Sequence, residues 1–344
     1  MEGKQKYRLT VPVMHCFDDR YTAPAAVAFL SMLEHGASDC FYALYVVHSD
    51  ISEEHQRMLK EVVGRFSNAS LEFIIPHNRI DKLFDKVKGK YHFSREVLFK
   101  LTTPDEFPQY ERLMIADVDV VYQDDVAKIY EMALKDNNYI FGHNSGEART
   151  AWGYNYENKS YKQNFNQEER LIVSKGANGC FNVFNLAAMR RDGIVEKFID
   201  FLEKNAWRIQ QLEQDVFNFV CADKISYMPL RAVVCTYLYD VATPEELEKW
   251  KDAMAHPVQI HYATAGKPWL CPGSRLAHLW WECLARTPFF YEVASKFSDF
   301  PTKSNYSFFG KIPFLEIWHK GAITKVRLGG IFNLKRAFSF WKHR

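Results

Sequence analysis

Two carboxylates one residue apart, Asp117 and Asp119, end the apolar run Leu113-Met114-Ile115-Ala116, and Val120-Val121 follow them. An apolar run bounded by polar residues reads as a buried strand. Ligands of an open α/β sheet bind outside the carboxyl ends of its strands. Paired carboxylates there offer hard oxygen ligands to a divalent cation. The same residues in isolation describe a strand that ends in an acidic turn, so the chain must supply company for them. Candidates are Asp18 and Tyr21 in Phe17-Asp18-Asp19-Arg20-Tyr21, Lys100, and Asn178 within Gly176 to Leu186. Further along come Glu213 and Gln214 in Glu213-Gln214-Asp215-Val216-Phe217-Asn218, and then His261 and Lys267 in His261-Tyr262 to Lys267-Pro268-Trp269. Each has a plain structural reading as well. His261 suits a buried imidazole bonded to backbone, Lys267 a solvated loop lysine, Asp18 a helix cap, and Glu213-Gln214 the polar side of a helix.

The elements that must position these groups alternate. Leu9 to Phe17 reads as a first strand, with Pro12 pointing to an early or edge position. Thr22 and Pro24 open a helix that Gly36 closes. Phe41 to Val47 is a second strand, Ser52-Glu53-Glu54 starts a second helix, and Leu71 to Ile75 is a third strand. Phe93 to Leu101 is helical, and Arg112 to Ala116 is the strand that carries the carboxylates. The alternation implies an α/β domain with a largely parallel, doubly wound sheet. Beyond it lie a short helix at Ile129 to Leu134 and a short strand at Tyr139 to Gly142. Asn144 to Asn166 reads as a long polar surface excursion. Val183 to Leu186 is a strand end, Ile194 to Asn205 and Glu213 to Cys221 are amphipathic helices, and Val258 to His261 is a last short strand.

The chain has 344 residues, 47% of them apolar and 15% aromatic, enough for one large or two ordinary domains. The formal net charge of +2 gives no overall pull toward nucleic acid. It is unevenly spread. Lys311 to Arg344 holds eight Lys or Arg against one acid, Glu316, an excess of seven that leaves the rest at −5. Seven scattered cysteines with no CxxC argue against a disulfide framework and for a reducing cytoplasm. The polar start, Met1 to Lys6, does not read as a signal peptide, and no apolar stretch is long enough to span a bilayer.

Five separated pieces resemble, in order, the signatures of the family 8 retaining glycosyltransferases, the glycogenin and bacterial galactosyltransferase type. Phe17-Asp18-Asp19-Arg20-Tyr21 resembles the family's nucleotide signature, and Asp117-Val118-Asp119 its metal motif. Gly176-Ala177-Asn178-Gly179-Cys180-Phe181-Asn182-Val183-Phe184-Asn185-Leu186 is similar to its F-N-(A/S)-G-x-x-x-x-N-L, and Glu213 to Asn218 to its D-Q-D-x-x-N. His261 to Trp269 is similar to its H-x-x-G-x-x-K-P-W. The resemblance covers roughly residues 9 to 270.

It implies the GT-A fold, a Rossmann-like mostly parallel sheet flanked by helices. The catalytic domain would span 1–271, with a nucleotide-sugar half at 1–122 and an acceptor half at 123–271. A helical basic extension would occupy 272–344. It also implies a UDP-hexose donor, glucose or galactose, a Mn²⁺ or Mg²⁺ ion, and transfer with retention. Asp117, Asp119 and His261 would hold the ion. Lys267 would contact the diphosphate and Lys100 would neutralise charge. Val118 would border the nucleotide, Asp18 would accept from the uracil imide and Tyr21 would stack on the base. Asn178, Glu213 and Gln214 would meet the sugar, with either Glu213 or Gln214 beneath the anomeric carbon. Four departures stand out: Lys100 where the family has Arg, Glu213 where it has Asp, Thr264 for Gly, and Gly179-Cys180 for Ala-Gly or Ser-Gly. The acid usual beyond Phe141-Gly142 is also missing, with Asn144 and Glu147 nearby.

Two other classes compete. A haloacid-dehalogenase-like phosphatase also ends a strand in Asp-x-Asp, but that pair follows the first strand of its domain. A nucleotide-sugar or glycan-binding module without turnover would accommodate the departures. The acceptor expected is a saccharide of a bacterial surface glycan, lipopolysaccharide core or a lipid-linked relative. In the tail, Phe308 to Leu315 and the later Trp318, Phe332, Phe338, Phe340 and Trp341 are interleaved with Lys and Arg. Short helices broken by Gly321, Gly329 and Gly330, lying on an anionic membrane at the inner face, fit that pattern.

Overall fold

The computed structural model describes residues 7–77, 79–87, 94–144, 159–263 and 265–297, and the backbone of three strands at 315–320, 323–328 and 332–333. In chain order the first half comprises β1 (Leu9–Cys16), α1 (Thr22–His35), β2 (Cys40–Val47), α2 (Glu53–Val63), β3 (Ala69–Ile74) and α3 (Asp81–Phe84). A 3-10 helix (Arg95–Thr102), α4 (Thr103–Glu106), β4 (Arg112–Ala116), β5 (Val120–Tyr122), α5 (Ala127–Ala133) and β6 (Ile140–Gly142) follow. Then come α6 (Lys159–Asn164), α7 (Gln167–Ser174), β7 (Phe181–Asn185), α8 (Leu186–Arg191), α9 (Ile194–Asn205), α10 (Leu212–Val220) and β8 (Ile225–Tyr227). The last stretch holds β9 (Val234–Cys235), α11 (Leu238–Val241), α12 (Pro244–Ala255), β10 (Gln259–His261), α13 (Ala277–Leu284) and α14 (Phe290–Ser295).

Seven strands form one sheet in the order β3-β2-β1-β4-β7-β6-β8, parallel except where β7 runs against β4 and β6. The period-two pattern of the strands divides the core between its faces. Val11 and Val13 of β1, Tyr42, Leu44 and Val46 of β2, and Met114 and Ala116 of β4 join one cluster, with α1, α2 and α13. Met14, Ala43, Tyr45, Val47, Leu113 and Ile115 join the other, with residues of the 3-10 helix, α9 and α10. α1 is apolar nearly all round because β5, α2 and α13 surround it. Its Ser31, fully buried, donates to the Val27 carbonyl at 2.8 Å and accepts the Tyr122 N–H at 3.0 Å.

Pro12 does not mark an edge, since β1 lies between β2 and β4. It is tolerated because pairing with β4 begins only at Val13, so at Pro12 the strand has a neighbour on the β2 side alone. The helix expected at Phe93 to Leu101 is a 3-10 helix, shifted to Arg95–Thr102. Much of the polar excursion, residues 145–158 with Glu147, lies outside the described residues, as does Thr264.

The extension corrects one expectation. It begins helical, at α13 and α14, but then forms β11 (Leu315–Lys320), β12 (Ile323–Leu328) and β13 (Phe332–Asn333), an antiparallel sheet. The register sets Leu315 opposite Leu328 and Ile317 opposite Val326. Gly321, read from sequence as a helix breaker, lies outside the described residues. The tail residues at 298–314 and 334–344 lie outside the described residues.

A buried tyrosine ties these layers together. Tyr42 Oη on β2 donates to Asp125 Oδ1 at 2.6 Å and accepts the Ala37 N–H, just past α1, at 2.8 Å. Asp125 also accepts the Ala127 N–H, at the start of α5. Tyr42→Phe strips one partner from the buried Asp125 carboxylate and one from the half-buried Ala37 N–H, which keeps a 3.3 Å bond to Asp125 Oδ2. It should lower stability by about 1–3 kcal/mol, read as a lower urea midpoint with unchanged slope.

Candidate active site

The strand order reverses between β1 and β4, the place where an open α/β sheet leaves a crevice. Asp18 follows β1 and Asp117 follows β4, so both stand at carboxyl ends beside that crevice. The buried His15 of β1 braces the floor. Burial lowers its pKa to about 4, so the ring is neutral, and its Nδ1–H donates to the Ala116 carbonyl at 2.8 Å, one residue before Asp117.

Two pairings bring distant chain to the carboxylates. β7 runs against β4 so that the Asp117 N–H donates to the Cys180 carbonyl at 2.8 Å. β10 runs against β5 with His261 opposite Val120, and the Tyr262 N–H donates to the Asp119 carbonyl at 2.9 Å. His261 Nε2 thereby lies 3.2 Å from Asp119 Oδ1, and the Lys267 ammonium contacts Asp119 Oδ2. Burial alone would raise the Asp119 pKa, but Lys267 and His261 hold it well below the carboxylate range. Burial would lower that of His261, and Asp119 overrides it upward. Asp117, Asp119 and His261 each present one ligand atom, all within 4.8 Å of one another. Two hard oxygens and an imidazole nitrogen suit Mn²⁺ or Mg²⁺.

Lys100 reaches the same floor from the 3-10 helix. Its ammonium donates to Asp117 Oδ1 at 2.7 Å, to the Gly179 carbonyl at 2.9 Å and to Glu213 Oε1 at 3.1 Å, and the residue is only 3% exposed. Two of the departures noted in the sequence, Lys100 and Glu213, are therefore the two ends of one contact. Glu213 opens the first turn of α10 beside Gln214, whose Oε1 accepts the Gly179 N–H at 2.9 Å. A Cβ on Gly179 would fall 2.5 Å from Glu213 Oε1, so the loop approaches the helix as closely as glycine permits. Asn178 adjoins this contact. It is half-buried, its N–H donates to the His143 carbonyl at 2.8 Å and its own carbonyl accepts from Asn182 at 2.7 Å.

At the end of β1 the Asp18 carboxylate accepts from the Arg20 backbone N–H at 3.0 Å and pairs with its guanidinium. The Tyr21 ring lies edge-on to Trp269 at 5.8 Å, and the Lys267 ammonium lies over Trp269 at 5.8 Å. Val118 is buried between the two carboxylates, in the core cluster that includes α1. The sequence-selected residues thus fall into three joined groups: Asp18 with Tyr21, Asp117-Asp119 with His261 and Lys267, and Lys100 with Glu213, Gln214 and the loop at Asn178.

The family model described as Glycosyl transferase family 8 matches residues 12–271. The chain belongs to that family. No curated protein matches it at the sequence level. Among solved structures, the bifunctional glycosyltransferase WbbM aligns at 20% identity and a TM-score of 0.69, covering 84% of this chain and 52% of WbbM. This chain therefore spans about half of that protein. The galactosyltransferase LgtC, solved with donor and acceptor sugar analogs, aligns at 18% identity and 0.63, covering 81% and 96%. GlyE of Streptococcus pneumoniae TIGR4 aligns at 18% and 0.55, covering 86% and 66%. At these identities the likeness is one of fold, and that fold is GT-A. Family membership makes the chain a glycosyltransferase. It also removes the phosphatase reading, as does the position of Asp117-Asp119 after the fourth strand in chain order.

The roles of some residues around the site could not be read from the sequence. Asn218 bonds both ways with Ala177, through its Oδ1 at 2.8 Å and its Nδ2 at 2.9 Å, and so holds the loop that ends at Gly179. Asp215 accepts the N–H groups of Gln210 and Gln211 and the Tyr161 hydroxyl, fixing the start of α10. Both lie inside the Glu213 to Asn218 motif, whose spacing shows that they matter but not that they brace. Cys235 lies across from His261 in the β9–β10 register, with Sγ 3.7 Å from Nδ1. Nothing in the sequence pairs them.

Burial raises the Glu213 pKa from 4.5 to about 7, with Lys100 opposing and Asp117 adding to the rise. Its carboxylate form therefore predominates only above neutrality. Donor turnover, followed as kcat/KM, should climb with pH through about 7, and Glu213→Gln should remove that climb. Stability carries the opposite sign. A carboxyl whose folded pKa is raised contributes fully below pH 4.5, and that contribution is lost as the pH rises through 7.

Proposed function

We propose that this enzyme moves a hexose, glucose or galactose, from a UDP-sugar to a saccharide acceptor with retention of anomeric configuration and with Mn²⁺ or Mg²⁺ as cofactor. The observation that carries the reading is the convergence of Asp117, Asp119 and His261 within 4.8 Å, beside Lys267 and the Lys100–Glu213 contact. The departing diphosphate concentrates negative charge, and catalysis requires fixed positive charge where it develops. Asp117, Asp119 and His261 would hold the cation, which when bound would supply Lewis-acid stabilisation of the charge on the leaving group. Lys267 adds a point charge to the diphosphate. Asp18 orients the base through the uracil imide, Tyr21 stacks on the base, and Val118 borders the nucleotide. Asn178 and the first turn of α10 meet the sugar. Retention requires either a nucleophile on the sugar's far face or same-face attack, and either Glu213 or Gln214 serves beneath the anomeric carbon.

The acceptor fits a bacterial surface glycan, lipopolysaccharide core or a lipid-linked saccharide. Residues 1–271 serve as the catalytic unit. The eight basic residues from Lys311 to Arg344 then supply contact with an anionic membrane surface at the cytoplasmic inner face, each contributing on the order of 1 kcal/mol at low salt. No described helix is long and apolar enough to cross a membrane. Vesicles containing anionic lipid should sediment the intact chain at low salt and release it at high salt. Deleting Lys311 to Arg344 should abolish this while donor hydrolysis persists. Loss of folding on deletion, or indifference to the vesicles, refutes the membrane part.

A panel of nucleotide sugars with Mn²⁺ tests the reaction, UDP release from one hexose donor being the expected result. Asp117→Ala, Asp119→Ala and His261→Ala should each lower kcat by at least about a hundredfold, the scale of losing one charge-stabilising group. Near-normal turnover of any variant at saturating Mn²⁺ removes that residue from the ligand set. An inverted product overturns the stereochemistry.

A further inference from the structure

An ammonium group has three N–H bonds and no acceptor. Lys100 aims its three at Asp117 Oδ1, the Gly179 carbonyl and Glu213 Oε1, at 2.7, 2.9 and 3.1 Å. With 3% of its surface exposed, it has no N–H left over for a phosphate. Its acceptors belong to separate parts of the site. Asp117 is in the cation cluster, Glu213 is on the sugar-side helix, and Gly179 is on the loop that Asn218 and Gln214 hold in place.

We infer that Lys100 is a positioning residue that couples the cation site to Glu213, so that the two are thermodynamically linked. The inference rests on the metal-dependent reading above. The physical basis is competition for one charge. The ammonium opposes a cation at Asp117 to the extent that it rests on Asp117, and Glu213 draws it away. A carboxylate that touches no cation thereby governs how tightly one binds, and by reciprocity the cation governs Glu213. The geometry also restricts the cation of the pair. Three acceptors around one point suit a tetrahedral ammonium, whereas a guanidinium presents its donors in a planar fork. Lengthening the cation therefore requires shortening the anion.

The test measures Mn²⁺ affinity at pH 8 without nucleotide, from the paramagnetic resonance signal of the free ion, on the full chain. Glu213→Gln should weaken binding about five- to tenfold, the low end of ordinary coupling between sites. In a Lys100→Gln background the same substitution should change affinity less than about twofold. Equal weakening in both backgrounds overturns the linkage, because Glu213 would then act through its field alone. The reciprocal pair guards against a Lys100→Gln chain that does not fold. Lys100→Arg and Glu213→Asp should each disturb Mn²⁺ affinity and thermal stability, and the double variant should restore both. Additive losses in the double variant overturn the proposal. A wild-type chain that takes up no Mn²⁺ overturns the metal-dependent reading and the linkage with it. Mn²⁺ uptake with additive variants overturns the linkage only.

Discussion

The site depends on one constraint: negative charge gathered at the buried end of a sheet must be met by positive charge. Asp119 and Glu213 are both nearly inaccessible to water. A buried carboxylate without a partner costs several kcal/mol. Their partners come from far away in the chain, Lys267 at a separation of 148 residues from Asp119 and Lys100 at 113 from Glu213. The docking of β10 on β5, and of α10 against the 3-10 helix, is therefore inseparable from neutralising the site. Forming the fold and assembling these charged groups are one event.

The sheet makes that assembly geometrically cheap. Parallel strands deliver their carboxyl ends to one edge, so Asp18 and Asp117 arrive together without any special loop. β7 enters antiparallel, which places its N-terminal residue, rather than its end, beside Asp117. The Gly176 to Cys180 loop that precedes β7 is thereby brought to the same edge, and α10 closes over it. The reversal of one strand thus gives the crevice at the carboxyl ends of β1 and β4 a second wall, built from the loop before β7 and the first turn of α10.

Much of this was legible in the sequence, for physical reasons. Strands and helices up to Ala116 announce themselves by period and by end signals, such as Ser52 accepting the His55 N–H at the start of α2. That Asp117, Asp119, His261 and Lys267 meet was legible because the motifs they belong to resemble those of one family, and the structure brings the four together. What failed was context. Pro12 leaves an early and an edge position both open, because sequence cannot show that β4 pairs with β1 only from Val13 onward. The tail reads as helical because glycines next to apolar residues break helices and make turns alike. Lys100 reads only as a charge that neutralises others, because the sequence does not show its three acceptors, Asp117, Gly179 and Glu213. Asp215 and Asn218 read as members of a motif, yet their bonds go to backbone groups that no side-chain pattern reports.

The start of α10 shows what holding Glu213 and Gln214 in place demands of the chain. Leu212 has φ +40°, left-handed backbone for a residue with a branched side chain, and it is fully buried. Such a conformation costs on the order of 1–3 kcal/mol and persists only where its surroundings leave no alternative. Those surroundings are identifiable. The Leu212 side chain is part of the apolar cluster on the 3-10 helix side of the sheet. Asp215 holds the N–H groups of Gln210 and Gln211 just before it. Gln214 and Glu213 grip the Gly179 N–H and the Lys100 ammonium just after it. A relaxed backbone at Leu212 would turn the first helical residues away from Gly179 and break the charge pair with Lys100. The strain at Leu212 and the missing Cβ at Gly179 are therefore two sides of one requirement, that the helix start and the loop meet closely enough for a buried carboxylate to reach its ammonium.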